Sequence, residues 1–377
     1  MQRLLYRAVW DADAVRDDLR ALLAARLGDP DGVLVVDETG DIKKGTHSVG
    51  VQRQYTGTAG RVENAQVGVY LGYASRHGHT LADRRVYLPA SWTGDRRRCR
   101  AAGVPDGVGF ATRSELATDM IDAAVAAGMP ARWVAADEAY GNNTALRAHL
   151  RGLRLGYVLA ISRSHHVPLD GGKVRLRVDR VTAGLPVTAW QRRSAGAGSK
   201  GPRWYDWAWL GQVSTDADPD EGGQHSLLIR RNITTGELAF YRCWTPQSAT
   251  LAQLVRVAGI RWTVEESFQA AKSQVGLDQH QVRRWHSWHR FTTLAMAALA
   301  VLAICTADAR QPGSQQPTSA ELITLTVNEV RRLINTLIIQ PIRDLAHRLH
   351  WSHWRRRHQA RARQSHYQRR LTLDYQP

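Results

Sequence analysis

The sequence has only three cysteines in 377 residues, Cys99, Cys243 and Cys305. Their odd number and wide spacing exclude a disulfide framework and a cysteine-based zinc site, and they fit a reducing compartment such as the cytoplasm. Signals for secretion are also missing, since the N-terminus, MQRLLYRAVWDADAVRDD, has no apolar core. The one long apolar stretch, residues 292–305, is shorter than the roughly 20 residues that a membrane-spanning helix needs. It therefore predicts a buried helix and no membrane association.

Acidic residues are scarce as well, with 34 Asp and Glu against 51 Lys and Arg, which gives a formal charge of +17. Such an excess attracts polyanions, and nucleic acid is the commonest large one. An arginine-rich genome explains part of the arginine content, but it would not by itself unbalance the two signs. Because 43% of the residues are hydrophobic and 23% charged, we expect a packed core rather than disorder.

Two acids follow apolar segments that are typical of buried strands. Residues 33–36 end at Asp37, and residues 133–136 end at Asp137. In α/β sheets, functional sites assemble at the carboxyl ends of such strands. Either acid alone is as easily explained as the cap of the following turn or helix, so the pair needs a third observation.

A third acid lies in a helical segment, RWTVEESFQAAK, at residues 261–272. Helical spacing places Arg261, Glu265 and Lys272 on one face, so Glu265 could reach the two aspartates while the basic residues point at phosphates. An ordinary surface ion pair between Arg261 and Glu265 is the alternative.

Together these residues resemble the DDE transposases of bacterial insertion sequences, in the group with a Tyr-Arg-Glu-Lys signature, and most of all insertion sequence family 701. The resemblance covers nearly the whole chain. It rests on VVDETGDIKKGTHSVGVQRQYTGTAGRVENAQ (35–66), WVAADEAYG (133–141), GPRWYDWAW (201–209), IRWTVEESFQAAKSQVGLDQHQVRRW (260–285) and WSHWRRRHQARAR (351–363). The signature tyrosine would fall at Ala258. Similar transposases also carry a longer helical region before the first catalytic strand than the 36 residues found here.

The resemblance implies an α/β, ribonuclease H-like core, a mixed sheet flanked by helices, with a β-rich insertion and a helical basic C-terminal tail. The predicted segments are 1–30 (residual N-terminal helices), 31–165 (first part of the core), 166–248 (insertion), 249–310 (helical completion of the core) and 318–377 (C-terminal helix and tail). Within the first part, residues 48–55 and 65–73 are expected to form an antiparallel meander, residues 74–111 a loop and residues 114–128 a helix.

The resemblance also implies the chemistry. Asp37, Asp137 and Glu265 would hold two divalent ions, Mg²⁺ or alternatively Mn²⁺, since hard cations prefer carboxylate oxygens. Such a site cleaves double-stranded DNA at the element ends and transfers the strands to a target. A homodimer on DNA is expected, because two ends must be handled together. We expect this to take place on the nucleoid in a bacterial cytoplasm.

Each of the three acids has an acidic neighbour. Alternation along a strand should turn Glu38 and Glu138 away from the site. Glu266 lies about 100° around the helix from the catalytic position. The register of Arg261 and Lys272 therefore favours Glu265.

Further DNA contacts are expected from basic and aromatic residues. Lys43 and Lys44 follow Asp37 closely, and Trp207 belongs to an aromatic group in the insertion that could stack on an extruded base. For any single tryptophan, packing within a strand is the simpler interpretation. The remaining candidates form a C-terminal run that would grip the DNA backbone: Arg355, Arg356 and Arg357.

Two other functions are compatible with parts of the sequence. A truncated, transposase-derived DNA-binding protein without autonomous transposition would keep the basic surface. A glycoside hydrolase would use two carboxylates and many tryptophans. The positive charge, the missing secretion signal and the register of Arg261 and Lys272 count against the hydrolase.

Overall fold

The computed structural model describes residues 2–170, 173–198, 201–211, 213, 222–310, 322–339 and 345–374. The strands are β1 (Val33–Ile42), β2 (Gln52–Thr56), β3 (Arg61–Ala74), β4 (His79–Val86), β5 (Trp133–Ala136), β6 (Gly156–Ile161), β7 (His166–Leu169), β8 (Val174–Arg177), β9 (Trp190–Gly198), β10 (Gly201–Gly211), β11 (Gln224–Asn232) and β12 (Leu238–Thr245).

The helices alternate with these strands and then dominate the C-terminal third. They are α1 (Gln2–Tyr6), α2 (Ala12–Leu27), α3 (Ala90–Thr93), α4 (Arg96–Ala101), α5 (Arg113–Ala126), α6 (Glu138–Gly141), α7 (Thr144–Gly152), α8 (Val178–Ala183), α9 (Leu251–Ile260), α10 (Trp262–Val275), α11 (Trp285–Asp308), α12 (Val327–Ile334) and α13 (Leu345–Asp374).

Within the described residues the central sheet has ten strands, and its first half is ribonuclease H-like, as the family resemblance implies. Here β4, β3 and β1 are antiparallel neighbours, while β1, β5 and β6 run parallel. Short strands rich in Val and Ala fill the parallel part, which is buried throughout β5 and nearly so in β6. This arrangement brings the carboxyl ends of β1 and β5 to the same edge of the sheet.

The β-rich segment does not form a separate layer. Its last strand, β12, pairs antiparallel with β6, and β11, β10 and β9 follow in order across the sheet. Only β7 and β8 form a small sheet of their own. The inserted strands therefore widen the sheet that begins with β1. The division of the chain into separate units stays a prediction.

The predicted loop at residues 74–111 is wrong, because it contains β4 and two short helices. The charged sequence HTLADRRV hides the strand, since its charges are buried and paired. Asp83 lies 3.4 Å from Arg20 of α2, and Arg84 donates to Asp13 of α2 at 2.9 Å. Ion pairing in the core thus replaces the apolar alternation that normally signals a strand.

Capping residues determine where two of the flanking helices begin. In α5, the Thr112 hydroxyl accepts from the backbone of Glu115, whose carboxylate binds the Thr112 backbone in return. Thr250 and Gln253 form the same reciprocal pair at the start of α9. The predicted helix at 114–128 is confirmed, and its cap, Thr112, lies two residues before the predicted start.

The long apolar helix, α11, is a core helix, as the sequence predicts for residues 292–305. By length and composition it could cross a membrane, but 61% of its most apolar window is buried inside the protein. It packs against α2 and β4, and Trp288, Met296 and Ala300 are almost completely covered. Its hydrophobicity is therefore explained by contacts within the fold.

Candidate active site

The two aspartates lie side by side at one edge of the sheet. The parallel register aligns Val36 of β1 with Ala136 of β5, so Asp37 and Asp137 follow at equivalent positions. Neighbouring strands are separated by about 4.8 Å. Asp137 also caps α6, because its carboxylate accepts from the backbone of Ala139 at 2.9 Å. Strand pairing thus produces the proximity that the sequence suggested.

The environment of Asp37 disfavours its negative charge. Burial, followed by repulsion from Asp137, raises the pKa of Asp37 from 3.8 to about 7, despite the opposing effects of Arg261 and the Glu38 backbone N–H. A pair of carboxylates in this state has a strong affinity for positive charge. The C-terminal ends of β1 and β5 therefore favour the binding of a positively charged group.

Arg261 supplies part of this positive charge. It is the single residue between α9 and α10, and its guanidinium lies 3.6 Å from the Asp37 carboxylate and 2.7 Å from that of Glu265. Burial opposes the charge on Arg261, but attraction by Asp37 and Glu265 raises its pKa above the usual value. The ion pair with Glu265, which was the alternative interpretation of this segment, does form, but it lies beside Asp37 instead of on an open surface.

Helix α10 carries Glu265 and Lys272 to β1 together. Glu265 is in the first turn, and the ammonium of Lys272, two turns later, donates to the Thr39 hydroxyl at 2.7 Å. The helix ends at Gly276, whose φ of 71° is a left-handed conformation suited to glycine. The predicted helical face of Arg261, Glu265 and Lys272 thus lies against the strand that carries Asp37.

The donor set fits a divalent cation in part. Asp37 and Asp137 offer hard oxygen ligands whose mutual repulsion a cation would relieve. Glu265, however, is bonded to Arg261, and the described residues contain no group of three His, Cys, Asp or Glu side chains placed to hold a metal ion. For Glu265 to act as a third ligand, it would have to give up its hydrogen bond with Arg261.

Two residues that sequence reasoning missed hold the aspartate-bearing elements together. The Tyr140 hydroxyl, in α6, donates to Glu38 at 2.5 Å, and Arg113 of α5 donates to the same carboxylate. Burial, followed by the charge of Glu38, raises the pKa of Tyr140 well above its usual value, so the phenol remains a donor. The spacing in the sequence could have indicated Tyr140, because this residue lies about one helical turn after Asp137.

The acidic neighbours behave differently from one another. Glu38 is held by the Tyr140 hydroxyl, and Glu266 lies 3.4 Å from His79 of β4, whose hydrogen bond lowers the pKa of Glu266. The expectation for Glu138 is wrong. Because α6 begins at this residue, strand alternation does not apply, and Glu138 is exposed on the wall of the same cleft as Asp137.

Two predicted DNA contacts do not fit the structure. Trp207 borders the cleft beside Asp137 but is completely buried, with its indole N–H donating to the Arg193 carbonyl and its ring packed near Tyr241, so it is not exposed for stacking on a base. Lys43 is also buried, and its ammonium donates to the His280 carbonyl at 3.3 Å. Lys44, in contrast, is exposed.

The C-terminal run divides in the same way. Arg355 binds the buried carboxylate of Glu329 in α12 through two hydrogen bonds of 2.6 and 3.0 Å. Arg356 is almost fully buried and donates to the Ile323 carbonyl. The prediction for Arg356 as a contact to a DNA backbone is wrong, because this side chain is buried against the preceding segment. Arg355 is 29% exposed, so its contact to DNA stays a prediction. Arg357 is exposed.

A cleft of about 710 Å³ opens next to Asp137, between the core and the inserted strands. It connects the acids to a surface formed by β10, β11 and β12. The basic and aromatic side chains on its wall include Arg163, Arg203, Arg230, Arg261, Tyr205 and Trp262. Such a wall suits a nucleic-acid strand, since it offers cations for phosphates and rings for bases.

Comparisons with known proteins identify the family of this chain. The family model for a transposase DDE domain matches residues 110–302, and the model for a DDE superfamily endonuclease matches residues 1–180. A probable transposase for insertion sequence element IS701, from Microchaete diplosiphon, is 31% identical over 172 residues, which is 45% of this chain. The match spans 42% of that relative's length. Among solved structures, the NurA nuclease from Sulfolobus solfataricus aligns with 66% of this chain and 81% of its own, at 8% identity and a TM-score of 0.28.

Proposed function

This chain belongs to the DDE transposases, and we propose that it cleaves double-stranded DNA at the ends of an insertion sequence and transfers the strands to a target. The observation that carries the proposal is the placement of Asp37 beside Asp137, with Glu265 linked to them through Arg261. The similarity to an insertion-sequence transposase supports this substrate class.

The residues would divide the work as follows. Asp37, Asp137 and Glu265 would hold two divalent ions, Mg²⁺ or Mn²⁺, with Glu265 leaving Arg261 to do so. When bound, these ions stabilise the charge on the attacking and leaving oxygens of an in-line displacement. Arg261, once released, and Lys272 would position the scissile phosphate by charge-assisted hydrogen bonds. Tyr140 keeps α6 in place by holding Glu38.

The remaining assignments follow from the reaction. Two element ends must be cut and joined together, so we infer that the protein acts as a homodimer on DNA. We also infer that it works on the nucleoid in a bacterial cytoplasm. The cleft beside Asp137 would receive the DNA end, because its basic wall leads directly to the acids.

A second candidate is a DNA-binding protein of transposase descent that does not cut. One observation favours it: in this structure Glu265 is engaged by Arg261 and does not join the two aspartates. Such a protein would bind element ends through its basic surface but would leave supercoiled DNA intact under all metal conditions.

The test is cleavage of a supercoiled plasmid that carries the element ends, with Mg²⁺ or with EDTA. We expect Mg²⁺-dependent nicking that D37N, D137N and E265Q each reduce at least about 100-fold, since losing a direct ligand should exceed the effect of an outer-shell change. The matched control is E138Q, an exposed carboxylate on the same cleft, which should cut normally. Cutting in EDTA, or by D37N, would refute the proposal, and DNA binding without any cutting would support the second candidate.

A further inference from the structure

Two adjoining pockets lie beyond the C-terminal end of β1, apart from the acids. Their volumes are about 440 and 550 Å³, and His47 and Arg283 line both. Among the described residues on their walls, none is Asp or Glu. We call the basic residues of these walls, apart from the buried Lys43, the basic cradle, which consists of Lys44, His47, Arg98, Arg283 and Arg284.

The charges of the basic cradle lack counterions. Within the described residues, Lys44, Arg283 and Arg284 make no ion pair, and all three are exposed. Many other arginines of this chain are neutralised locally, as Arg100 is by Asp106 and Arg113 by Glu38. A cluster of unpaired like charges raises the local potential and favours an anionic ligand.

The backbone of the basic cradle is fixed in advance on the β1 side. The Asn64 amide donates to the carbonyls of Lys43 and Gly45 at 2.5 and 3.0 Å. The backbone N–H of Val49 donates to the Arg283 carbonyl at 2.9 Å. These bonds hold the β1–β2 connection against the segment that precedes α11.

The third wall, helix α4, is attached to both of those segments. The Arg98 guanidinium stacks 3.8 Å above the Trp92 ring and donates to the Thr46 carbonyl. The Trp285 N–H, at the start of α11, donates to the Ala102 carbonyl at 2.9 Å. A ligand would therefore meet a preorganised surface, which lowers the entropy lost on binding.

The length of β1 beyond Asp37 indicates how far from the acids the basic cradle would contact a bound DNA duplex. From Asp37 to the end of β1 at Ile42 the strand advances five residues, or about 17 Å at about 3.4 Å each. Along the axis of B-form DNA, the phosphates of one strand advance about 3.4 Å per base pair, so a duplex that follows β1 would cover this distance in about five base pairs. Two neighbouring pockets free of carboxylates suit successive phosphates of one backbone.

We propose that the basic cradle grips the sugar–phosphate backbone of the substrate duplex about five base pairs from the phosphate that is cut. The position of this contact is counted from the scissile phosphate, so it rests on the proposed function. The contact is sequence-independent, because it uses charge and phosphate geometry instead of base edges. It would fix the angle at which the duplex enters the active site.

The first test uses R283Q/R284Q in the full chain, with binding to a linear duplex that carries the element end measured in EDTA across a salt series. Each lost phosphate contact lowers the salt slope by about 0.9. Between about 50 and 200 mM salt, the affinity of the variant should therefore fall about tenfold less than that of the wild type. The matched control is R26Q/R132Q, which removes two charges at the opposite edge of the sheet, where β1 and β5 begin, and should keep the wild-type slope.

The second test locates the contact with duplexes that carry single uncharged methylphosphonate linkages. Substitution about five base pairs from the cut should weaken binding of the wild type and the control, but not of R283Q/R284Q. The proposal is overturned if both double variants lose the same slope, if no position is sensitive, or if R283Q/R284Q binds DNA normally and loses binding to an acidic protein instead. Because the salt series needs no cleavage, its result is independent of whether the protein cuts.

Discussion

Replacing Asp37 by asparagine should stabilise the metal-free protein at pH 8, although the residue lies at the centre of the candidate active site. The Asp37 side chain is only 15% exposed and lies beside a second carboxylate. Asparagine has nearly the same shape and can still accept the hydrogen bond from the Glu38 backbone N–H, which is 2.8 Å long. It carries no charge, so the repulsion disappears.

The size and sign of the effect follow from the pKa of Asp37. Burial and Asp137 raise it from 3.8 to about 7, so between these values the folded state binds a proton more tightly than the unfolded state. Stability of the wild type therefore falls as pH rises through this window. Three units correspond to at most about 4 kcal/mol, and about 2–3 kcal/mol of this should appear between pH 5 and pH 8.

Urea unfolding of the wild type and D37N in EDTA, at pH 5 and pH 8, measures this difference. The advantage of D37N should be greater at pH 8 than at pH 5 by about 2–3 kcal/mol, and E138Q should match the wild type at both. Adding Mg²⁺ at pH 8 should stabilise the wild type but not D37N, because a ligand stabilises only the state that binds it. A wild type that is as stable as D37N at pH 8 would refute the electrostatic reasoning.

Two further predictions concern residues outside the three acids. Y140F should lower stability by about 1–3 kcal/mol, because Glu38 loses a hydrogen bond in a partly buried site, and it should slow cleavage while DNA affinity is unchanged; equal losses of binding and cleavage would contradict this. R355A should destabilise the protein by about 3–5 kcal/mol, since it leaves the buried Glu329 carboxylate poorly paired. The matched control, R361A, changes an exposed arginine of the same helix and should leave the thermal midpoint unchanged; the prediction fails if the two variants melt alike.

The parts of the fold that could be predicted are those in which local pattern and tertiary environment agree. The apolar segments before Asp37 and Asp137 are buried strands because both faces of the parallel sheet are covered. Strand β4 could not be found, because Asp83 and Arg84 are buried with partners from α2, far away in sequence. Nothing in the sequence indicated that β12 would pair with β6.

The candidate site shows the same division. The spacing of Arg261, Glu265 and Lys272 follows from helix geometry alone, so their common face was predictable. The exposure of individual side chains was not predictable, because it depends on partners that are distant in the sequence. Trp207 and Lys43 looked like DNA contacts by residue type, yet one packs near Tyr241 and the other binds the carbonyl of a residue 237 positions away.

The pairing of β12 with β6 has a mechanical consequence. A ladder of backbone hydrogen bonds runs without interruption from β9 to β1, and such a ladder resists sliding much better than a flexible linker would. A nucleic-acid strand resting on β10 would therefore keep a constant offset from Asp137. The distance across the sheet between β10 and Asp137 would then determine which phosphate of the bound strand is cut.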